Sequence, residues 1–551
     1  METKRYILAI VLCFVVLAAY QMLFMKTPPS SQPPAQSSAA VPSAPAEKPA
    51  TAGASGQAAP DSPGETVPSE APLYQDVKAA GREAIVVATP LYDAEWSNEG
   101  ATLRSWKLKK HRSVNRDPLE LVSPRAAEIG RFPFSLDAGE AGPDVNRALF
   151  RTSVARLDLK DGEKGELRFE YAEGKTKVEK TFVFYGGRYD FDIQTALWVD
   201  GKKVDHRLIW GPGLSEPGLV EKKAQFGAGT GIAVLTGDKV YRVSEAKYAP
   251  EKSAYNFASW AAYEDNYMTA MFLFTGAPGT ALFERLPVGE AGAAFFLSIS
   301  PPQKGFLGPK EFDRLRTLGQ GTKKLINFGF FGAIAEVLLI AIKRIHQYVP
   351  NWGFAIIIIT FLIKVIFFPL TYSSTKSMAK MQELQPKIKA LRAKYKKAKQ
   401  DINQRRQMNE EMMKLYKEHG INPAGGCLPM LIQIPVFWGF FRMLVVAIEF
   451  RQSPWMLWIK DLSVKDPYYI TPLLMGATQF ISQKMTPTTA DPAQAKMMLI
   501  MPVVMTVFFM NFQSGLILYW LTNNVLQIGQ QYLINRMMAK KKREAYGQRK
   551  K

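Results

Sequence analysis

A lysine sits inside the most apolar stretch of this chain. Asn351–Tyr372 reads NWGFAIIIITFLIKVIFFPLTY, and Lys364 is its single charge. A charged side chain within roughly 20 apolar residues costs about 2.5–3.5 kcal/mol on insertion, so such a residue marks a functional site by default. Lys364 lies about 18 Å along a helix from Trp352 and about 12 Å from Tyr372, too deep for comfortable snorkelling. Thr360 (i−4) and Thr371 (i+7) share its helix face. The last apolar segment carries its own stripe, Tyr519, Asn523, Gln527 and Gln531 at successive i+4 positions. Gln433 and the trio Thr478, Gln479 and Ser482 add polar groups on two further segments. Each alone reads as helix–helix glue. Together they are weighted toward one leaflet and describe a wet cavity open to one side. No Asp or Glu lies at the depth of Lys364, and Glu449 and Arg442 belong to the outer interface. A buried cation without an internal acid needs water or an acid from elsewhere. It can attract an acid that arrives from elsewhere, such as the hydrophilic flank of a translocating polypeptide. A small-ion or metabolite transporter would carry repeat-related halves or intramembrane carboxylates, and neither is found.

The elements that must position these residues follow from the chain's polarity. It has 551 residues, 47% of them hydrophobic, and a net charge of +21. Tyr6–Phe24 is an apolar run behind Lys4 and Arg5, longer than a signal-peptide core, and reads as an uncleaved anchor over 1–25. Residues 26–73 are rich in Pro, Ala and Ser and form a tether. From 74 to 305 the pattern has period two: Leu167, Phe169 and Tyr171, then Val178, Phe182 and Phe184, then Tyr189, Phe191 and Ile193. That predicts an antiparallel domain, most simply a β-sandwich. The glycine-rich Phe226–Gly231 precedes a strand-like run rather than a helix, so a hairpin or bulge is expected there instead of a phosphate loop. The segment 306–350 connects, and within it Phe330–Val349 is an amphipathic helix lying in the interface. The two cysteines, Cys13 and Cys427, suggest neither a disulfide framework nor a metal site. No cofactor is implied, and no GxxxxGK[ST] loop offers a nucleotide site.

Residues 351–535 hold five apolar segments and, at 373–426, a helical hairpin with thirteen basic and five acidic residues, a net of +8. Two stripes would close the hairpin: Met378, Met381, Leu384, Ile388, Leu391 and Tyr395 against Ile402, Met408, Met412 and Leu415. The tail 536–551 has eight basic residues and one acidic, a net of +7. Positive segments stay in the cytoplasm. With the anchor running outward and Asn351–Tyr372 inward, the hairpin lands correctly. Four further spans return the tail to the same side, provided Gln513–Gly515 is a tight turn. Both termini are then cytoplasmic and 26–350 exported. Trp352, Trp455, Trp458, Tyr468 and Tyr469 gather at the outer side as an aromatic belt.

The same residues carry a family resemblance. NWGFAIIIITFLIKVIFFPLT, SMAKMQELQPKIKALRAKY, NPAGGCLPMLIQIPVF, DPYYITPLLMG, KMTPTT and QSGLILYWLTNNVLQIGQQ cover nearly all of 351–535 in the expected order. The chain resembles the YidC/Oxa/Albino group of membrane-protein insertases, in its Gram-negative form with a large periplasmic domain. The resemblance implies a multi-domain membrane protein of the bacterial inner membrane, an α-helical bundle of one plus five spans with a periplasmic all-β supersandwich. It implies a hydrophilic groove open to cytoplasm and lipid, with an apolar slide on the third and fifth of the six spans. The family's groove arginine falls at Lys364, its threonine at Thr360, its glutamine at Gln433, and a tyrosine pair at Tyr519 and Trp520. Lysine keeps the charge but lacks the guanidinium's five-donor fork.

The expected activity is therefore insertion and folding of nascent inner-membrane proteins without nucleotide hydrolysis, alone or with the Sec translocon; no enzyme chemistry is expected. The groove residues are Lys364, Thr360, Thr371, Gln433, Tyr519, Trp520, Asn523 and Gln527. Ribosome and targeting machinery would meet Lys387, Lys389, Arg392 and Lys394 on the hairpin and Lys540, Lys541, Lys542 and Arg543 on the tail, where phosphate attraction is available. Membrane lipids are partners; DNA is not. The alternative is a membrane-anchored carbohydrate-binding or scaffold role for 74–305.

Overall fold

In the computed structural model the described residues are 74–139, 142–215, 229–248, 252–288, 292–395, 401–420, 428–486 and 492–548. The anchor and tether lie outside them. The described chain forms two compact units, dividing between Pro309 and Lys310.

The first unit is built of β-sheet, with a short helix at Arg125–Ile129. Alternation buries one face of strands such as Thr176–Tyr185, while Met268–Leu273 is buried on both faces, and the buried faces of two sheets meet. A five-stranded sheet holds Ala84–Ala88, Tyr92–Ser97 and Thr102–Arg112, with Arg156–Asp158 pairing parallel to the first of these. A fourteen-stranded sheet contains the antiparallel run Lys164–Glu173, Thr176–Tyr185 and Asp190–Val199. Trp96 from the small sheet packs on Phe182 (4.4 Å between ring centroids) and on Phe134 (5.1 Å), while Trp106 stacks on Tyr92 (3.9 Å) and reaches Phe191 (5.6 Å). Burying rings of this size supplies most of the unit's cohesion. All nine period-two residues named from the sequence lie on these strands or at their edge, and eight of them are buried. The run after Thr230 is a hairpin, Gly231–Thr236 against Lys239–Ser244; residues 226–228 lie outside the described residues.

Two features depart from the period-two reading. The last strand runs to Pro309 rather than ending at Gly305, because Phe306 and Leu307 are buried and pair with Asp190 and Ala270. The inward position between Val178 and Phe182 is held by Lys180, which is fully buried. Its ammonium donates to the carbonyls of Gly100 (2.7 Å), Phe134 (2.8 Å) and Ala101 (3.3 Å), so the large sheet is pinned to the hairpin turn of the small one.

The second unit is helical: α1 (Phe312–Leu318), α2 (Gly332–Tyr348), α3 (Trp352–Ile366), α4 (Phe368–Glu383), α5 (Gln385–Lys394), α6 (Ile402–Glu418), α7 (Leu428–Val446), α8 (Ile470–Met485), α9 (Pro492–Phe509) and α10 (Ser514–Gln548). Asn351 caps α3, its side chain accepting from the Phe354 N–H. The single span expected over Asn351–Tyr372 is broken. α3 and α4 meet at 59° across Phe367, which has left helical geometry (φ −89°, ψ 2°). Pro369 in the first turn of α4 explains the break, since it lacks an N–H and crowds the carbonyl of the preceding turn. Among the described residues no single helix is long and apolar enough to cross a membrane; the bent pair α3–α4 meets that measure of length and composition only when its two helices are taken together, and Leu431–Val446 and Leu499–Phe509 are shorter apolar helices.

The turn between the last two apolar segments is present at 510–513, slightly earlier than Gln513–Gly515, and α9 begins at Pro492. α10 does not stop where the basic tail begins but carries it as helix to Gln548. In the hairpin Met381, Leu384 and Ile388 bury against Met412, Leu415 and Tyr416. Ile402 does not join them: it is 72% exposed at the first residue of α6, where the Asp401 cap starts the helix before the packed stripe begins.

Candidate functional site

The polar residues from the several apolar helices converge on α10. Lys364, in the last turn of α3, donates from Nζ to Oε1 of Gln527 at 2.8 Å. Gln433 on α7 donates to the hydroxyl of Tyr519 at 2.9 Å, and Tyr519 stacks on Phe440 with ring centroids 4.2 Å apart. From α8, Gln479 accepts from the Trp520 indole N–H at 3.0 Å, and the Met475 carbonyl accepts from Asn524 at 3.2 Å. One helix face thus gathers partners from α3, α7 and α8. The opposite face of α10, with Val525, Tyr532 and Leu533, is exposed.

The structure therefore unites Lys364 with Gln527, Gln433 with Tyr519, and Trp520 with Gln479. Asn523 lies half-buried on the same α10 face. Thr360 is buried, and its hydroxyl bonds back to the Ile356 carbonyl at 2.6 Å, so its polarity is spent inside its own helix. Thr371 does not continue the Lys364 stripe. It lies beyond the bend, on α4, with its hydroxyl on the Phe367 carbonyl at 3.1 Å. Lys364 has a partner within the helical unit, and that partner is a neutral amide rather than an acid. Asn524 and Gln530 were missed. Both lie within a turn of the i+4 stripe that defines the α10 face, and their non-apolar types inside an apolar segment were the available signal.

At the other end of the helices the chain is tied shut. The Asn351 amide donates to the Trp455 carbonyl (2.9 Å), and the Trp455 ring sits where a Cβ on Gly353 would be, 2.1 Å away. Buried Asp466 accepts from the Trp458 indole (3.0 Å), the Tyr468 N–H (2.9 Å), and the N–H and hydroxyl of Thr471 (both 2.7 Å). Ser514 and Gly515 donate their N–H groups to the carbonyls of Val464 and Leu462. Lys343 bridges Glu449 (2.9 Å) and Asp313 (2.7 Å), joining α2 to the end of α7 and to α1. Arg442 donates to the Asn327 carbonyl, so Arg442 on α7 and Glu449 just after it each find a partner outside that helix. Asp466→Ala strands four donors at once and is expected to destabilise the helical unit by about 3 kcal/mol, read as a fall of several degrees in its thermal midpoint.

On the hairpin, Lys394 pairs with Glu411 (2.8 Å) and Lys387 lies 3.1 Å from His419. Lys389 and Arg392 are on the exposed face of α5, and Lys540 is exposed on α10. Lys541, Lys542 and Arg543 continue α10 as backbone, their side chains outside the described residues.

Comparison with known proteins defines the class. The family described as 60Kd inner membrane protein matches residues 344–542, and the YidC periplasmic domain matches residues 84–341. The membrane protein insertase YidC of Syntrophus aciditrophicus (strain SB) is 38% identical over 566 residues, covering 97% of this chain and 99% of that protein. Its counterpart in Geobacter sulfurreducens (strain ATCC 51573 / DSM 12127 / PCA) is 39% identical over 464 residues, covering 82% and 86%. A crystal structure of active YidC insertase with its first transmembrane domain resolved is 19% identical, with a TM-score of 0.36 over 84% of this chain and 95% of that one. The chain belongs to the YidC family of membrane protein insertases, which are not enzymes.

Proposed function

We propose that this protein inserts and helps fold nascent inner-membrane proteins, alone or beside the Sec translocon, through a hydrophilic groove open to the cytoplasm and centred on Lys364. One observation carries the reading. The Lys364 ammonium is held by a neutral amide, Gln527, while α3, α7, α8, α9 and α10 as far as Asn535 contain no Asp or Glu. A cation kept without a counter-charge is available to an acid brought by a substrate.

The remaining parts follow from it. The flank of a nascent segment enters the groove beside Lys364, Gln433, Tyr519, Trp520, Asn523 and Gln527, which shortens its remaining path. The apolar part leaves sideways along exposed residues of α7 (Leu431, Ile434) and α9 (Ile500, Val503, Val507). Its transfer into lipid supplies the drive at about 25 cal/mol per Å². The bonded outer end keeps the groove from becoming a pore. Six spans with both termini in the cytoplasm fit the charge distribution, and the basic hairpin and α10 extension face the ribosome and targeting machinery.

Proteoliposomes containing only this protein test the reading. They should insert a one-span substrate that protein-free liposomes do not, and should still do so after most of the β domain is deleted. Loss of insertion on that deletion would move the function into the β domain instead.

A further inference from the structure

One amide on the groove face of α10 is built differently from its neighbours. Gln530 lies one turn beyond Gln527 and is 7% exposed. Neither its Nε2 nor its Oε1 has a hydrogen-bond partner among the described residues. Three nearby amides are engaged: Gln527 with Lys364, Asn524 with the Met475 carbonyl, and Gln531 with Asn535 at 2.9 Å. Buried amides left with neither a donor nor an acceptor satisfied are rare because they cost stability. α4, which packs along α10, also buries polar residues, Ser374 and Thr375, on the side beyond the bend at Phe367.

We propose that Gln530 is a receptor for the peptide backbone of the entering segment, placed one turn to the cytoplasmic side of Lys364. The inference rests on the insertase reading above. A hydrophilic flank that dips toward hydrocarbon must have its N–H and C=O groups satisfied, since lipid offers no partners. A carboxamide presents one donor and one acceptor on the same edge. In an extended chain the N–H and C=O of one residue point to the same side, so the two can bond pairwise as neighbouring strands do. Such pairing reads no side chain. Lys364 then discriminates substrates by flank charge, whereas Gln530 serves them all, as an insertase with many substrates requires.

The test uses the full chain in proteoliposomes and two one-span substrates, one with an acidic flank and one with a neutral flank. Gln530→Met keeps the length of the side chain and removes its polar atoms. It is expected to raise the thermal midpoint of the helical unit by roughly 2–4 °C, because unsatisfied groups are gone. It should also slow insertion of both substrates by the same factor, about three- to ten-fold. A lowered midpoint would mean that the amide serves the resting fold, and unchanged insertion would mean that it holds water only; either overturns the proposal. As a second measurement, Gln530→Cys in a chain with Cys13 and Cys427 replaced by Ser should form a disulfide with a cysteine in the flank of a stalled substrate. Absence of that cross-link where Gln527→Cys gives one also overturns it. If the wild-type chain inserts neither substrate, the insertase reading itself fails. If the wild type inserts and Gln530→Met matches it, only the present inference falls.

Discussion

Lys364→Ala is expected to slow insertion of a substrate with an acidic flank by about ten- to a hundred-fold, and of a neutral-flanked substrate far less. The magnitude comes from the cost of a charge at depth. A carboxylate carried toward the bilayer centre costs about 2.5–3.5 kcal/mol, and an ammonium waiting there offsets a large part of it. Each 1.4 kcal/mol lost is about a factor of ten. Lys364→Arg keeps the charge and adds a planar fork of donors, so it should insert at least as well as wild type. Lys364→Gln keeps a hydrogen bond to Gln527 without the charge and should resemble alanine. Protease protection of pulse-labelled substrates in a depletion strain reads all three. Should alanine insert the acidic-flanked substrate at the wild-type rate, charge capture is wrong, although a wet groove could still operate.

The second large effect is a pH dependence in the β domain. Burial pulls the Lys180 ammonium down from its ordinary 10.5 to about 7. Between those two values the unfolded chain holds a proton that the folded domain has released. Stability therefore rises with pH across that window, by up to about 1.4 kcal/mol per unit, and is flat below it, where both states are protonated. Lys180→Met should abolish the rise. It should also cost about 2 kcal/mol at pH 9, because the neutral amine can donate to two of the three carbonyls of Gly100, Ala101 and Phe134, and both bonds are lost. Urea unfolding of 74–309 at pH 6.5, 8 and 9.5, followed by tryptophan fluorescence, checks both statements. A wild-type domain whose stability is level from pH 7 to 9.5 would contradict them.

Lys180 also shows where sequence reasoning stops. Val178, Phe182 and Phe184 announce a buried strand face by their period, and the structure buries all three. The same parity passes through Lys180, yet a lysine there becomes intelligible only once three carbonyls from two distant segments are seen around it. The bend after Ile366 had a local cause in plain view, Pro369, but hydrophobicity alone joined the two helices into one span. On α10, the i+4 stripe from Tyr519 to Gln531 marked a polar face, and the structure pairs Tyr519 and Gln527 on it with other helices. The stripe could not say which amides are engaged across helices and which are not, because Gln527 finds Lys364 at a sequence separation of 163 residues. Types and periods are local. Partners are not, and the difference between Gln527 and Gln530 is entirely one of partners.

The claim that a half-membrane groove opens only to the cytoplasm is tested most directly by side-specific labelling. Single cysteines at 364, 523 and 527, in a chain with Cys13 and Cys427 replaced by Ser, are offered a membrane-impermeant maleimide in inverted and in right-side-out vesicles. All three positions are expected to label in inverted vesicles and none in right-side-out ones, where the bonds around Asp466 and Trp455 close the outer end. Labelling from the outer side, or from neither side, would contradict it.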